Sequence, residues 1–284
     1  MASILAEWTS ACNLRCKMCP LTNDDMRVEG HMSLELWEQI LKCCRSEGHF
    51  VQWAHFFGEP LIWKNFFEGM KMWYDYKLSR LGALSTNGHL LTDERIECIR
   101  DTKIGLIRIC IDSLRHDVYK RLRNNSNLDS LLVKVEKFLE RAPDIRCQLQ
   151  LMRSTINIDE DPKDYFKYFK HKNFSVFVSD CQDIGSGGEL SVCKNTAPNP
   201  MLCNKVGYEH CSITWDGQIS LCCVDYAVHN KIGDMSGGSV TDIYFGEYAE
   251  KMRSQIRQGN YELAPACSVC SMDHIGYTNK EYFQ

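Results

Sequence analysis

Sixteen cysteines in 284 residues are more than packing requires, and their distribution is uneven. Cys12, Cys16 and Cys19 form C-x3-C-x2-C near the start, while Cys203, Cys211, Cys222, Cys223, Cys267 and Cys270 fall in the last third. The opening segment MASILAEWTSACNL is too short and too polar for a signal peptide. In a reducing compartment, clustered thiols point to metal or redox chemistry rather than to disulfides. Three thiolates at the first spacing can bind three irons of a cubane and leave the fourth open to a small molecule. Structural zinc is the competitor, but it prefers four closed ligands in paired C-x2-C units. The nearest further ligand, His31, lies twelve residues past Cys19. In the second set, Cys203, Gly217 and Cys222 fit C-x13-G-x4-C, and Cys267-x2-Cys270 begins 45 residues after Cys222. Four thiolates from three separated segments suit a closed site, which by ligand type holds zinc or an iron–sulfur cluster. Cys211 and Cys223 are left over, and Cys223 competes with Cys222 as ligand. Cys43, Cys44, Cys98, Cys110 and Cys147 sit inside helix or strand patterns and read as small core hydrophobes.

The elements that position these residues follow from periodicity. Apolar runs at 3–8, 50–56, 80–85, 104–111, 145–152 and 174–179 predict strands. Helical patterns fall between them at about 33–46, 62–77, 92–101, 128–141 and 162–171, with Ser33 and Thr92 as N-caps. Alternation of this kind implies βα units on a parallel sheet, joined by right-handed crossovers. Six units suit an open, partial barrel better than a complete eightfold one. The first cysteine loop then sits at the carboxyl end of the first strand, where barrels place their chemistry. Composition changes at 182–202, where DIGSGGEL and NTAPNP read as a linker. Beyond it, SITWDGQISLCCVDY predicts a hairpin turning at Asp216-Gly217, followed by a helix at about 240–257. Two domains are expected, 1–185 and 186–284.

The net charge of −4 and scattered Lys and Arg argue against a nucleic-acid partner. No apolar run approaches the roughly 20 residues that span a bilayer, so the chain reads as cytoplasmic.

C-x3-C-x2-C after a first strand, ahead of successive βα units, resembles the radical S-adenosylmethionine superfamily. Three further segments match that family in order. Phe57-Gly58-Glu59-Pro60 resembles its GGEP motif, which holds the methionine amino group. Ser85-Thr86-Asn87-Gly88 resembles the segment that contacts ribose or methionine carboxylate. Ile111-Asp112-Ser113 resembles its next strand terminus. The resemblance covers essentially the whole chain. It implies that Cys12, Cys16 and Cys19 hold a [4Fe-4S] cluster, with Met18, Gly58, Glu59, Pro60, Ser85, Asn87, Asp112 and Ser113 around S-adenosylmethionine. Met18 stands where the family commonly has an aromatic touching adenine, and Phe57 replaces the first Gly of GGEP. The second cysteine set resembles SPASM/twitch C-terminal domains. The full SPASM form needs cysteines after the C-x2-C pair, and the last 14 residues contain none. The shorter twitch arrangement is expected, a hairpin plus helix around one auxiliary [4Fe-4S] cluster held by Cys203, Cys222, Cys267 and Cys270.

The implied chemistry is reductive cleavage of S-adenosylmethionine to methionine and a 5′-deoxyadenosyl radical, which abstracts hydrogen from unactivated carbon. HFFGEPL and the single auxiliary site resemble aminocyclitol dehydrogenases, which implies a small polar substrate oxidised at a hydroxyl-bearing carbon. Epimerisation is the close variant, with a thiol such as Cys223 returning the hydrogen. An external one-electron reductant such as flavodoxin or ferredoxin is implied as partner. Arg123, in YKRLRNN, matches a position where relatives often carry an active-site Arg; an ordinary helix-surface Arg is the equal alternative. His55 is placed either in the barrel interior or in a structural role, and Gln148, Gln150 and Arg153 lie along the fifth strand with one set facing inward. The other enzymatic reading is a maturase that modifies a peptide or protein. With eleven residues before Cys12, no N-terminal leader-binding domain is expected in this sequence, and a separate partner would have to supply one.

Overall fold

The computed structural model describes residues 1–22, 27–124, 126–171, 173–181, 190, 210–268, 270 and 279–284. Six parallel strands build the barrel wall: β1 (Ser3–Ala6), β2 (Phe50–Trp53), β3 (Ala83–Thr86), β4 (Leu106–Cys110), β5 (Cys147–Arg153) and β6 (Phe174–Asp180). The helices α1 (Leu34–Glu47), α2 (Phe66–Asp75), α3 (Asp93–Asp101), α4 (His116–Leu122), α5 (Leu128–Arg141) and α6 (Lys163–Tyr168) lie between them. The predicted caps form as expected, since the Ser33 hydroxyl accepts from Leu36 N–H at 3.1 Å and Thr92 from Arg95 N–H at 3.4 Å. α4 was not anticipated. Its seven residues, HDVYKRL, give too short a pattern for periodicity to register, yet Val118, Tyr119 and Leu122 are buried. The second strand stops at Trp53, short of the expected 56, and the chain bends from Ala54 into the Gly58 loop.

Strand alternation separates two environments. On β4, Ile107 and Ile109 are buried against the helices, while Arg108 and Cys110 face the lumen and are half-exposed. Leu149 and Leu151 on β5 face the helices in the same way, which turns Gln148 and Gln150 inward.

On the helix side the core holds a tryptophan cluster built around Trp8, four residues before Cys12. Trp8 stacks on Trp63 at 4.7 Å between ring centres and meets Trp37 and Trp73 edge-on at 5.3 and 5.8 Å. The indole N–H of Trp37 donates to Gly69 O and that of Trp63 to Met32 O, which ties α1 to α2 and the segments that lead into them.

The C-terminal strands β7 (His210–Ile213), β8 (Gln218–Ser220) and β9 (Lys231–Asp234) continue the same sheet. β7 pairs parallel to β1, with Ser3 opposite His210 and Ala6 opposite Ile213, and the β7–β8 hairpin turns at Asp216-Gly217 as expected. Gly217 has φ +86°, a left-handed conformation that few other residues adopt. The helix anticipated at 240–257 is two helices, α7 (Val240–Tyr244) and α8 (Glu247–Arg257), separated at Gly246. After them come the short α9 (Pro265–Ser268) and β10 (Asn279–Tyr282), which closes the far edge antiparallel to β6. The order across ten strands is β10-β6-β5-β4-β3-β2-β1-β7-β8-β9.

Trp8→Ala removes the centre of the tryptophan cluster and should cost about 3–5 kcal/mol of stability. Urea unfolding of the iron-free protein measures this, and a loss below about 1 kcal/mol would show that the cluster does not organise the barrel.

Candidate functional site

β1 delivers the chain to the top of the barrel, where Thr9 and Ser10 fold back on Gly30. The Thr9 hydroxyl donates to Gly30 O at 2.8 Å, and Ser10 N–H donates to the same carbonyl at 3.1 Å. The Gly58 loop presses on this turn. A Cβ on Gly58 would stand 2.2 Å from Thr9 O and 2.9 Å from Ala11 O, and its φ is +80°. Glycine is therefore required there on two counts. The contact lets Glu59 N–H donate to Ala11 O at 2.9 Å, which joins the GEP segment to the cysteine loop. Within that loop Cys19 N–H donates to Cys16 O at 3.0 Å, and the Thr22 hydroxyl is 2.7 Å from the carbonyls of both Cys16 and Cys19.

Two side chains from elsewhere in the barrel, one past the end of β3 and one at the end of α4, aim at the sulfurs. Asn87 Nδ2 lies 3.9 Å from Cys12 Sγ and donates to Asn13 Oδ1 at 2.9 Å. Arg123, at the end of α4, places Nη1 3.4 Å from Cys16 Sγ, while Nη2 donates to Cys110 O at 3.2 Å and to the Asp112 carboxylate. Burial opposes the Arg123 charge, but Asp112 and Cys16 hold it fully protonated. Arg123 is thus a buried group on the first cysteine set and not a helix-surface residue.

Burial pushes the Cys12 thiol up to about 12 and the Cys19 thiol up to about 11. These are neutral, inert thiols unless a metal displaces their protons. Three thiols on one loop, with N–H donors directed at two of the sulfurs, fit a cluster whose thiolates need neutralising.

The remaining resemblance-implied residues are distributed around this loop. Glu59 is buried, and its carboxylate accepts from the Thr86 hydroxyl at 2.6 Å, Asn87 N–H at 2.7 Å and Leu61 N–H at 3.1 Å. It couples the second and third strand ends. Pro60 opens the short 3-10 turn that follows. Ser85 Oγ lies 3.6 Å from Cys110 Sγ on the lumen wall. Asp112 has φ +65°, and its second oxygen accepts from Met152 N–H at 3.1 Å. Ser113 points away from the cysteines, toward Glu160 and Arg115. Met18 is buried in a small apolar cluster with Cys16, Val118, Leu122, Cys181 and Leu190.

Below the loop, the lumen is lined by polar and aromatic groups. The Arg108 guanidinium lies 3.7 Å from the Phe177 ring centre and 4.7 Å from that of Trp53. Its Nε and Nη2 donate to Gln148 Oε1 at 3.0 and 2.8 Å. His55 faces this space, and its Nδ1 is buried with no partner among the described residues. Burial, assisted by Arg108, pushes the His55 ring down to about 4, so it is neutral at physiological pH. Gln150 turns to Asp112, and Arg153 pairs with Asp180 at 2.6 Å at the end of β5.

Of the second cysteine set, Cys203 lies outside the described residues. Cys222 and Cys223 are adjacent in the turn after β8, Cys267 is in α9 and Cys270 follows it, all half-buried. Cys211 is buried within β7, and burial raises its thiol well above the usual range, so it reads as a core residue. Asn230 Nδ2 lies 3.3 Å from Cys267 Sγ.

Sequence reasoning passed over three residues here. Glu7 on the β1 extension is fully buried and receives two hydrogen bonds from Arg27, at 3.1 and 2.5 Å. Burial raises its carboxyl pKa, which Arg27 opposes. A carboxylate inside an apolar strand, five residues before Cys12, was a readable signal. So was Arg108 in LIRIC, a charge on the inward register of an otherwise apolar strand. Asn230, alone in a loop, offered none.

Comparison with known proteins agrees with this architecture. The Radical SAM superfamily pattern matches residues 7–167, and the SPASM iron-sulfur cluster-binding domain pattern matches residues 203–271. The GTP 3',8-cyclase of Nautilia profundicola is 26% identical over 59% of this chain and 52% of its own length. That of Clostridium botulinum is 27% identical over 64% and 57%. The chain thus aligns with little more than half of these relatives. BtrN, solved with AdoMet and 2-DOIA, superposes with TM-score 0.62 at 17% identity, over 96% of this chain and 93% of BtrN. Streptococcus suis SuiB bound to precursor peptide SuiA gives 0.68 at 15% identity, over 95% and 71%. At such identities the likeness speaks for the fold: a mixed sheet with the parallel partial barrel and a SPASM region at its C-terminal side. The superfamily match implies a [4Fe-4S] cluster and S-adenosylmethionine, and the SPASM match implies auxiliary iron–sulfur binding. The chain belongs to the radical S-adenosylmethionine superfamily.

Proposed function

We propose that the enzyme oxidises a hydroxyl-bearing carbon of a small polar molecule, of the aminocyclitol or sugar class. The observation that carries this reading is the lumen wall of Trp53, His55, Ser85, Arg108, Cys110 and Gln148 beneath the cysteine loop. It offers hydrogen-bonding groups and flat aromatic surface of the kind that receives a small polar ring. The near-complete mutual coverage with BtrN, solved with 2-DOIA, supports a small substrate. The sequence relatives named for GTP also point to a small polar molecule. The alternative, a peptide-modifying maturase, draws on the likeness to SuiB with its precursor peptide.

In this reading Cys12, Cys16 and Cys19 hold the first cluster, and Cys203, Cys222, Cys267 and Cys270 hold one auxiliary cluster. The barrel would comprise residues 1–185 and the twitch region 186–284. Held by those thiolates, the first cluster would supply the one-electron reduction that cleaves S-adenosylmethionine to methionine and a hydrogen-abstracting 5′-deoxyadenosyl radical, and the second would take the electron when the substrate radical loses its hydroxyl proton and becomes a ketone. The chain's own residues bind and orient. Arg123 offsets thiolate charge at Cys16. Gly58, Glu59, Pro60, Ser85, Asn87, Asp112 and Met18 shape the rim for the cofactor, whereas Ser113 is committed to Glu160 and Arg115. Neutral His55 offers its buried ring nitrogen to a substrate hydroxyl without adding charge beside Arg108. A flavodoxin or ferredoxin would supply the first electron. No helix among the described residues is long and apolar enough to cross a membrane.

Anaerobic reconstitution should give about eight irons per chain, and Cys16→Ala should lose about half of them together with all 5′-deoxyadenosine release. Retained release in that variant would refute the first site. Incubation with candidate aminocyclitols in D2O separates the outcomes. Oxidation leaves no solvent deuterium at the reacting carbon, whereas deuterium at an inverted carbon, lost in Cys223→Ala, would establish epimerisation instead.

The folded-state pKa of His55 is depressed, so between pH 6.5 and about 4 the unfolded chain binds a proton that the folded chain refuses. Stability should therefore fall as pH drops through that window, and His55→Phe should flatten part of the fall. His89, also pushed down to about 4, supplies a second contribution of the same sign. Urea titrations at stepped pH test this; identical slopes in variant and wild type would place the His55 ring in solvent.

A further inference from the structure

Asn230 lies in the turn just before β9, fully buried, with its backbone and side-chain groups all engaged. Its carbonyl accepts from Leu221 N–H at 3.1 Å, beside Cys222. Its N–H donates to Asp225 Oδ2 at 2.7 Å. Asp225 is also buried, and its carboxylate takes His229 N–H at 3.1 Å and the Ser220 hydroxyl at 3.2 Å. In the side chain, Oδ1 accepts from Ala266 N–H at 3.2 Å, and Nδ2 lies 3.3 Å from Cys267 Sγ. The amide orientation follows from chemistry, because a backbone N–H can only donate and so must face the oxygen. The NH2 is thereby aimed at the sulfur.

A buried amide is costly unless both ends are satisfied. A neutral thiol is a weak acceptor, whereas a thiolate is a strong one. The arrangement is therefore fully satisfied when Cys267 is a metal-bound thiolate. One residue also joins two ligand segments, through its backbone to the Cys222 turn and through its side chain to α9. An N–H donor draws charge from a ligand sulfur and so favours the more negative, reduced form of a cluster.

We propose that Asn230 is a positioning residue whose hydrogen bond to Cys267 raises the reduction potential of the auxiliary cluster, making it a better acceptor for the substrate-derived electron. This rests on the reading of Cys203, Cys222, Cys267 and Cys270 as that cluster's ligands.

The test is an EPR-monitored redox titration of the anaerobically reconstituted full chain, with Cys16→Ala protein identifying the signal of the second cluster. Asn230→Leu removes the donor without adding charge. Asn230→Asp keeps the acceptor for Ala266 N–H and puts a negative charge at the sulfur. With iron content retained, both should move the second midpoint to more negative potential, Asp further than Leu, while the first stays in place. An unmoved midpoint in Asn230→Leu overturns the proposal, whatever Asp does, because charge alone then explains the Asp shift. Loss of the second cluster in Asn230→Leu at unchanged thermal stability overturns it in favour of a purely scaffolding role. Asparagine labelled with 15N gives a readout without substitution. Hyperfine coupling of 15N to the reduced second cluster supports the bond, and its absence refutes it. If wild type holds only about four irons and shows one signal, the auxiliary-cluster reading itself fails, an outcome distinct from an unmoved midpoint.

Discussion

The buried ion pair between Asp112 and Arg123 is the interaction on which the top of the barrel depends. A guanidinium taken out of water is costly unless its charge and its N–H groups are met. Asp112 meets the charge, Cys110 O takes a second bond, and Cys16 Sγ takes a third. Asp112 is itself placed by Met152 N–H and by its own N–H donating to Gln150 O at 2.9 Å. One pair thus joins β4, β5, α4 and the cysteine loop. Removing either partner would strand a charge in a nearly dry site, a penalty of several kcal/mol for a paired buried charge.

Glu59 does at the opposite side what Asp112 does here. Its three donors come from the β3 end and its own loop, and its backbone N–H reaches Ala11. The cysteine loop is therefore gripped from two directions by buried carboxylates that never touch a sulfur. The GEP segment earns its sequence through this grip: the glycine permits contact at Thr9 and Ala11, the glutamate ties two strand ends, and the proline starts the turn.

Much of this architecture was legible in the chain. Parallel strands buried on one face and wet on the other leave alternating patterns, as in LIRIC, and all six were placed within a few residues. Capping by Ser33 and Thr92 and the turn at Gly217 are local chemistry and read directly. What escaped was set by long-range packing. α4 is too short to show a period, and Gly246 divides a helical pattern that looks continuous. The roles of Glu59, Asp112 and Arg123 as mutual supports depend on which strand ends meet, and no spacing along the chain reports that. Asn230 acquires its meaning only because α9 returns to the turn after β8.

The sheet itself constrains the relation between the two thiolate sets. β7 pairs parallel to β1, so the strand that delivers Cys12 shares its hydrogen-bonded edge with the hairpin that delivers Cys222. Glu7 reinforces that junction, because its carboxylate also accepts from Trp215 N–H at 3.2 Å at the hairpin tip. Its partner Arg27 donates to Tyr226 O at 3.2 Å and lies over the Tyr226 ring, and that ring meets Phe57 edge-on at 4.9 Å. A buried, bidentate pair and an aromatic contact thus bind the GEP loop, the segment after Cys19 and the segment after Cys223 into one body. A continuous hydrogen-bonded sheet therefore fixes the end of β1 and the β7–β8 hairpin relative to one another.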